Sequence, residues 1–218
     1  MSANGYKNIL FDLDGTLTDP AVGITDSVSY ALRGMGVIPP PREDLYKFIG
    51  PPLLDSFARY YGFDDEDCRR ALTLYREYFA QKGIFDNRPY DGITDMLQRL
   101  ADSSKKLCVA TSKPEKYAVR ILEHFDMARY FDFIGGASMD ETRSKKRDVI
   151  QYVLDTCGLA ADGTAVMVGD REHDMTGARL CGIDCIGVLY GYGSEAELSS
   201  AGAVKIAATV SELTRILL

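Results

Sequence analysis

The sequence has no tryptophan, two histidines (His124 and His173) and no basic run longer than Lys145-Lys146-Arg147. Its five cysteines (68, 108, 157, 181 and 185) are an odd number, widely spread, with no C-x-x-C pair. A tetrahedral zinc site needs clustered nitrogen or sulfur ligands, so this supply excludes one. Scattered cysteines at apolar positions behave as small hydrophobes rather than as a disulfide framework. With 25 Lys+Arg against 32 Asp+Glu the net charge is −7, which disfavours a nucleic-acid polyanion as partner. The longest apolar runs fall far short of the ~20 residues that span a bilayer, so no membrane partner is expected. The opening stretch, Met1 to Lys7, has no apolar segment of the secretory kind, and a cytoplasmic protein is expected.

What is present suits a globular fold. At 218 residues and 46% hydrophobic, the chain is long enough to bury roughly 70% of its unfolded surface. Lys7 to Phe11 reads as a short buried strand that runs into the polar loop Asp12-Leu13-Asp14-Gly15-Thr16. The next strand-like run, Leu107 to Ala110, comes some ninety residues later. Helical periodicity fills the gap. Val28, Leu32 and Met35 form one face, Leu54, Phe57, Ala58 and Tyr61 a second, and Cys68, Leu72, Tyr75 and Phe79 a third. Gly34 to Gly36, the prolines at 39–41 and Gly50-Pro51-Pro52 separate these faces.

From about Pro89 helix and strand alternate. Strands are predicted at 107–111, 132–135, 164–169 and 185–189, with a weak one near 204–207. Helices are predicted at 115–126, 146–157 and 174–181, near 195–201 and from 211. Such alternation argues for a parallel sheet covered by helices on both faces. The chain therefore reads as an α/β protein with a Rossmann-like core of residues 1–18 and 85–218. A helical domain of residues 19–84 interrupts that core after its first strand.

In open parallel sheets, ligands sit at the carboxyl ends of the strands. Four strand ends or following helix starts here carry reactive residues. Asp12 and Asp14, at i and i+2 of an extended chain, point to one side about 6–7 Å apart. One carboxylate can act as nucleophile and the other as general acid, with a hard cation relieving their repulsion. An Asx turn after a strand explains the same residues without chemistry. Thr111-Ser112-Lys113-Pro114 offers hydroxyls and backbone N–H groups to a phosphoryl oxygen, or is an ordinary helix cap. Lys145-Lys146-Arg147 opens a helix against its macrodipole, so these cations face either solvent or an anion. Asp170 and Asp174, four residues apart after Gly169, can share a cation, or Asp174 can simply favour a first helical turn.

Together, in this order, these segments resemble the haloacid-dehalogenase-like hydrolase superfamily, specifically its phosphatases with a helical cap inserted after the first strand. The resemblance covers core and cap. It implies that Asp12 is the nucleophile forming an aspartyl-phosphate and that Asp14 is the general acid/base. It implies Mg²⁺ held by the Asp12 carboxylate, the Asp14 backbone carbonyl and Asp170, with Asp174 supporting through water or from behind. Thr111, the Ser112 backbone and Lys146 would bind the transferring phosphoryl group. Lys146 is chosen because Lys146-Arg147-Asp148-Val149-Ile150 resembles the Lys-Gly-Asp-Val-Ile of one phosphatase branch; Lys145 is the alternative.

Asp14 also separates the chemistries. Dehalogenases and phosphonate hydrolases of the superfamily lack this second carboxylate, and sugar phosphomutases keep a histidine in the early cap, where residues 18–24 have none. Phospho-receiver domains share an Asp, Thr and Lys set but lack the large insertion. Gly23 to Val28, Ile49 to Leu53 and Tyr190 to Ser194 look like phosphoglycolate phosphatases and a sister branch of 5′-nucleotidases. The expected activity is hydrolysis of a small phosphorylated metabolite, phosphoglycolate phosphatase-like, with 5′-nucleotidase as the alternative. Lys47, in the cap, is a candidate contact for a substrate carboxylate or second anion.

Overall fold

The computed structural model describes residues 5–218. Residues 1–4, part of the opening stretch read above as carrying no leader, lie outside them. Contacts divide the chain into two compact units, Met1–Asp19 with Pro89–Leu218, and Pro20–Arg88.

The larger unit is built on six parallel strands: β1 (Asn8–Phe11), β2 (Lys106–Pro114), β3 (Phe133–Ala137), β4 (Ala165–Gly169), β5 (Asp184–Val188) and β6 (Lys205–Ala207). Their order is β3-β2-β1-β4-β5-β6. β1 is central, with Phe11 in register with Val109 on one side and Val168 on the other. Ile9, Leu10, Phe11, Leu107 to Ala110 and Val166 to Val168 are all fully buried. That explains the unbroken apolar runs of the sequence, because a parallel sheet is covered on both faces. Leaving β1, the order steps one way to β2 and the other way to β4. This reversal opens a crevice at the carboxyl ends of β1 and β4, the place where such sheets bind ligands.

The smaller unit is helical, with α1 (Ala21–Gly34), α2 (Leu53–Tyr61) and α3 (Asp65–Tyr78), and a 3₁₀ segment at Arg42–Phe48. α3 runs on into one π-helical turn at Phe79–Gly83. Cys68, Leu72, Tyr75 and Phe79 are buried as their spacing predicts. The α2 face differs: Ala58 is exposed and Ser56 is buried, its hydroxyl donating to the Pro52 carbonyl. The larger unit's helices are α4 (Ile93–Asp102), α5 (Glu115–His124), α6 (Lys146–Cys157), α7 (Glu172–Leu180), α8 (Glu195–Ala201) and α9 (Val210–Leu217). Val149, Ile150 and Val153 of α6 and Met175 and Ala178 of α7 pack with Leu10 and Met167 of the sheet in one cluster.

β2 outruns its predicted end at residue 111 and continues to Pro114, with a register shift against β3 between Thr111 and Pro114. The proline is the cause. It holds the preceding Lys113 out of the helical region and, extended itself, becomes the cap of α5 rather than its first residue.

Candidate active site

Asp12 leaves β1 with its backbone N–H still bonded to the Val168 carbonyl at 2.9 Å. The chain then turns sharply: Leu17 and Thr18 both donate to the Leu13 carbonyl, and Gly15 donates to Thr18. Gly15 is required here. Its φ is +83°, and a Cβ at this position would lie 2.2 Å from Asp170 Oδ2. The turn leaves Asp12 and Asp14 almost fully buried at the mouth of the crevice.

Each carboxylate meets its own lysine. Lys146, the first residue of α6, places Nζ 2.8 Å from Asp12 Oδ1 and 2.8 Å from Asp174 Oδ1. The same ammonium donates to the Ala110 carbonyl at 3.1 Å. Its neighbour Lys145 is exposed, so of the two candidate lysines Lys146 is the one turned inward. The cation that the macrodipole disfavours at a helix start is thus met by two carboxylates. Lys113 Nζ lies 2.6 Å from Asp14 Oδ2, and both side chains are buried.

Thr111 is buried at the end of β2, where its hydroxyl accepts a hydrogen bond from the Lys113 N–H at 3.2 Å. Ser112 Oγ is buried with no hydrogen-bond partner among the described residues. Asp170 and Asp174 follow β4 and are both buried. Asp174 serves two ends at once: Oδ2 accepts from the Arg171 N–H at 3.1 Å, closing the first turn of α7, while Oδ1 faces Lys146. Asp170 Oδ2 accepts from the Tyr192 N–H at 2.8 Å, whereas its Oδ1 is buried without a partner among the described residues.

Asp12, Asp170 and Asp174 each offer a carboxylate oxygen within 4.8 Å of the others. Oxygens around an octahedral Mg²⁺ stand about 3–4 Å apart, and Mg²⁺ takes hard oxygen donors. Asp170 Oδ1 is buried with no hydrogen-bond partner among the described residues, as a carboxylate oxygen kept for a cation would be, so this donor set fits the ion. The electrostatics agree. Burial drives the Asp170 carboxyl well above its ordinary range, with Asp174 and Asp12 adding to the rise. Burial also lifts Asp174 to about 6, against the pull of Lys146. Burial likewise raises Asp14, opposed by Lys113. Burial works against the Lys146 ammonium, yet Asp12 and Asp174 outweigh it and raise its pKa. A cation among these carboxylates relieves the repulsion that burial magnifies.

Asp12, Asp14, Thr111, Ser112, Lys146, Asp170 and Asp174 thus gather at the strand ends of the larger unit. Lys47 belongs to the helical unit, where its ammonium sits 4.5 Å from the centre of the Tyr60 ring. Two contributors lie in segments that the sequence reading quoted but to which it gave no site role. Lys113 had a signal: two residues beyond Thr111 on a strand, it shares Thr111's side of the sheet. The Tyr190-Gly191-Tyr192 loop had only its likeness to the phosphatase branches, which gives no contact, because it acts through a backbone N–H. A Cβ on Gly191 would lie 2.3 Å from the Gly15 carbonyl and 2.5 Å from Asp170 Cβ, so only glycine lets this loop close on both.

The profile of the haloacid dehalogenase-like hydrolases matches residues 9–188, from β1 through β5. The chain belongs to this family. It is a hydrolase by that membership, and its parallel α/β core with helices is the family's fold. It is 46% identical to a 5′-nucleotidase of Pseudomonas aeruginosa over 97% of this chain and 96% of that one. It is 41% identical to the tyrosine-protein kinase PtkA of Mycobacterium tuberculosis, over 94% of this chain and 70% of that one. A phosphoglycolate phosphatase of Pseudomonas savastanoi is 30% identical over 85% of this chain and 70% of its own. Among solved structures, a predicted phosphatase from Clostridium acetobutylicum superposes with a TM-score of 0.95 at 48% identity, covering 97% of this chain and 98% of that one. No helix among the described residues is long and apolar enough to cross a membrane.

Proposed function

We propose that this chain is a Mg²⁺-dependent phosphatase that hydrolyses a small phosphate monoester through a phosphorylated Asp12. The observation that carries the reading is the Asp12 carboxylate at the end of the central strand, held 2.8 Å from Lys146 beside two further buried carboxylates. Phosphoryl transfer asks chiefly for positioning and for positive charge around the equatorial oxygens. Lys146 supplies such charge, and the Thr111 hydroxyl and Ser112 N–H supply donors. Mg²⁺, held by Asp12 and Asp170 with Asp174 behind and the Asp14 carbonyl as a further donor, would neutralise the remaining phosphoryl charge.

In the first half-reaction an Asp12 oxygen attacks phosphorus and the bond to the leaving oxygen breaks. Asp14 gives that oxygen its proton, and the alcohol departs. In the second, water attacks the phosphorus of the aspartyl-phosphate and Asp14 takes its proton. Inorganic phosphate and the Asp12 carboxylate are regenerated. The helical insertion is the cap in this reading, the part that selects the leaving group, with Lys47 as its candidate anion contact.

For the substrate we place nucleoside monophosphates ahead of phosphoglycolate. This reverses the order taken from the sequence, because similarity to the Pseudomonas aeruginosa 5′-nucleotidase spans nearly both chains at 46%, against 30% for the phosphoglycolate phosphatase. The kinase relative is named for phosphoryl chemistry as well, while Asp14 beside Asp12 suits transfer to water. The test is phosphate release from p-nitrophenyl phosphate with Mg²⁺ and with EDTA, in the parent and in Asp12→Asn. A panel of nucleoside monophosphates against phosphoglycolate, compared by kcat/KM, then follows. Activity that needs both Mg²⁺ and Asp12 supports the mechanism, and parental turnover in Asp12→Asn ends it.

A further inference from the structure

Lysine is almost never fully buried unless paired. The site holds two buried lysines, and the mechanism above uses only Lys146. Lys113 is held by its place in the chain. It stands on the extended end of β2, its N–H bonded to the Thr111 hydroxyl, and Pro114 keeps its backbone extended. From there Nζ reaches Asp14 Oδ2 at 2.6 Å. The other Asp14 oxygen, Oδ1, is buried with no hydrogen-bond partner among the described residues. One oxygen is thus held by the lysine and the other has no partner, so the two oxygens of the carboxylate are not equivalent. Lys146 does not share this task, since its ammonium is engaged by Asp12, Asp174 and the Ala110 carbonyl.

We propose that Lys113 is a positioning residue for departure of the leaving group: by gripping Asp14 Oδ2 it aims Oδ1 at the ester oxygen that must be protonated. The proposal rests on the reading of Asp14 as general acid. It differs from simple charge neutralisation in what it demands of substrates. A neutralising lysine matters equally for every ester, whereas one that aims a proton donor matters only where the leaving oxygen needs the proton.

The experiment compares benzyl, phenyl and p-nitrophenyl phosphate, three esters of one ring whose leaving groups run from a strongly basic alkoxide to a stable phenolate. It reads kcat/KM, which stops at formation of the phospho-enzyme. In Lys113→Met, kcat/KM is expected to fall on the order of 10²-fold for the benzyl ester, the scale of a lost general acid. The fall is expected to stay under about threefold for the p-nitrophenyl ester on the same ground. In an Asp14→Asn background the same substitution is expected to add less than about threefold for either ester, since nothing remains to aim. An equal loss across the three esters, or a full further loss in the Asp14→Asn background, overturns the proposal. Should Lys113→Met not fold, Lys113→Leu, which also lacks a donor for Asp14, carries the same comparison. A parent inactive on all three esters defeats the phosphatase reading itself; an active parent with a uniform loss defeats only the role of Lys113.

Discussion

Asp12 and Lys146 touch each other, yet their removal is expected to separate catalysis from stability. Lys146 is 5% exposed and is the shared cation of Asp12 and Asp174, each at 2.8 Å. Lys146→Met leaves both carboxylates buried without it. Breaking a buried ion pair from one side costs about 3–5 kcal/mol, and two orphaned partners place this variant toward the upper end. A protein of this size loses about 2–4 °C of Tm per kcal/mol, so the metal-free variant is expected to melt about 8–20 °C below the parent at pH 8. The loss is smaller at pH 5, and the sign follows from the folded state. Asp170 and Asp174 titrate above their ordinary range, Asp174 near 6, so the burden of their charge is absent at low pH and grows as pH rises through those values. Lys146, its own pKa raised, stays charged throughout this window, so the pH dependence comes from the carboxylates it faces. Asp12→Asn does the opposite: it removes one negative charge from the cluster at constant shape, so Tm is expected to hold or rise while turnover is lost. The assay is calorimetry of both variants in EDTA at pH 5 and pH 8, beside steady-state kinetics in Mg²⁺. An Asp12→Asn variant destabilised as much as Lys146→Met would refute this account of the charges.

Mg²⁺ at about 100 times its Kd contributes about 2.7 kcal/mol, so it is expected to raise the parent Tm by about 5–11 °C at pH 8. That rise should vanish in Asp170→Asn, and a rise that survives would place the ion elsewhere. Gly191→Ala pushes a methyl against the Gly15 carbonyl and Asp170, so titration calorimetry is expected to show Mg²⁺ binding about 10–100-fold weaker. Unchanged affinity there would show that the loop does not orient Asp170.

The sequence by itself determined the architecture and most of the site. Unbroken apolar runs such as Ile9 to Phe11 and Val166 to Val168 specify strands buried on both faces, and their alternation with helices specifies a parallel sheet. Ligands gather at the carboxyl ends of such strands, so Asp12, Asp14, Thr111 and Asp170 were legible from position alone. Local rules failed where a neighbour decided the outcome. Ala58 lies on the predicted apolar face of α2 and is exposed, because packing within the helical unit buries Ser56 beside the predicted Phe57 in its place. The choice of Lys146 over Lys145 rests on a local likeness to one phosphatase branch, and only the tertiary structure gives it a physical reason: Lys146 is buried against Asp12 while Lys145 is exposed. The tertiary structure alone joined Lys113 to Asp14, and the Tyr192 N–H to Asp170. The reason is common to all three: periodicity records which side of an element a residue occupies, but a partner on another element is fixed only when the sheet brings the two strand ends together.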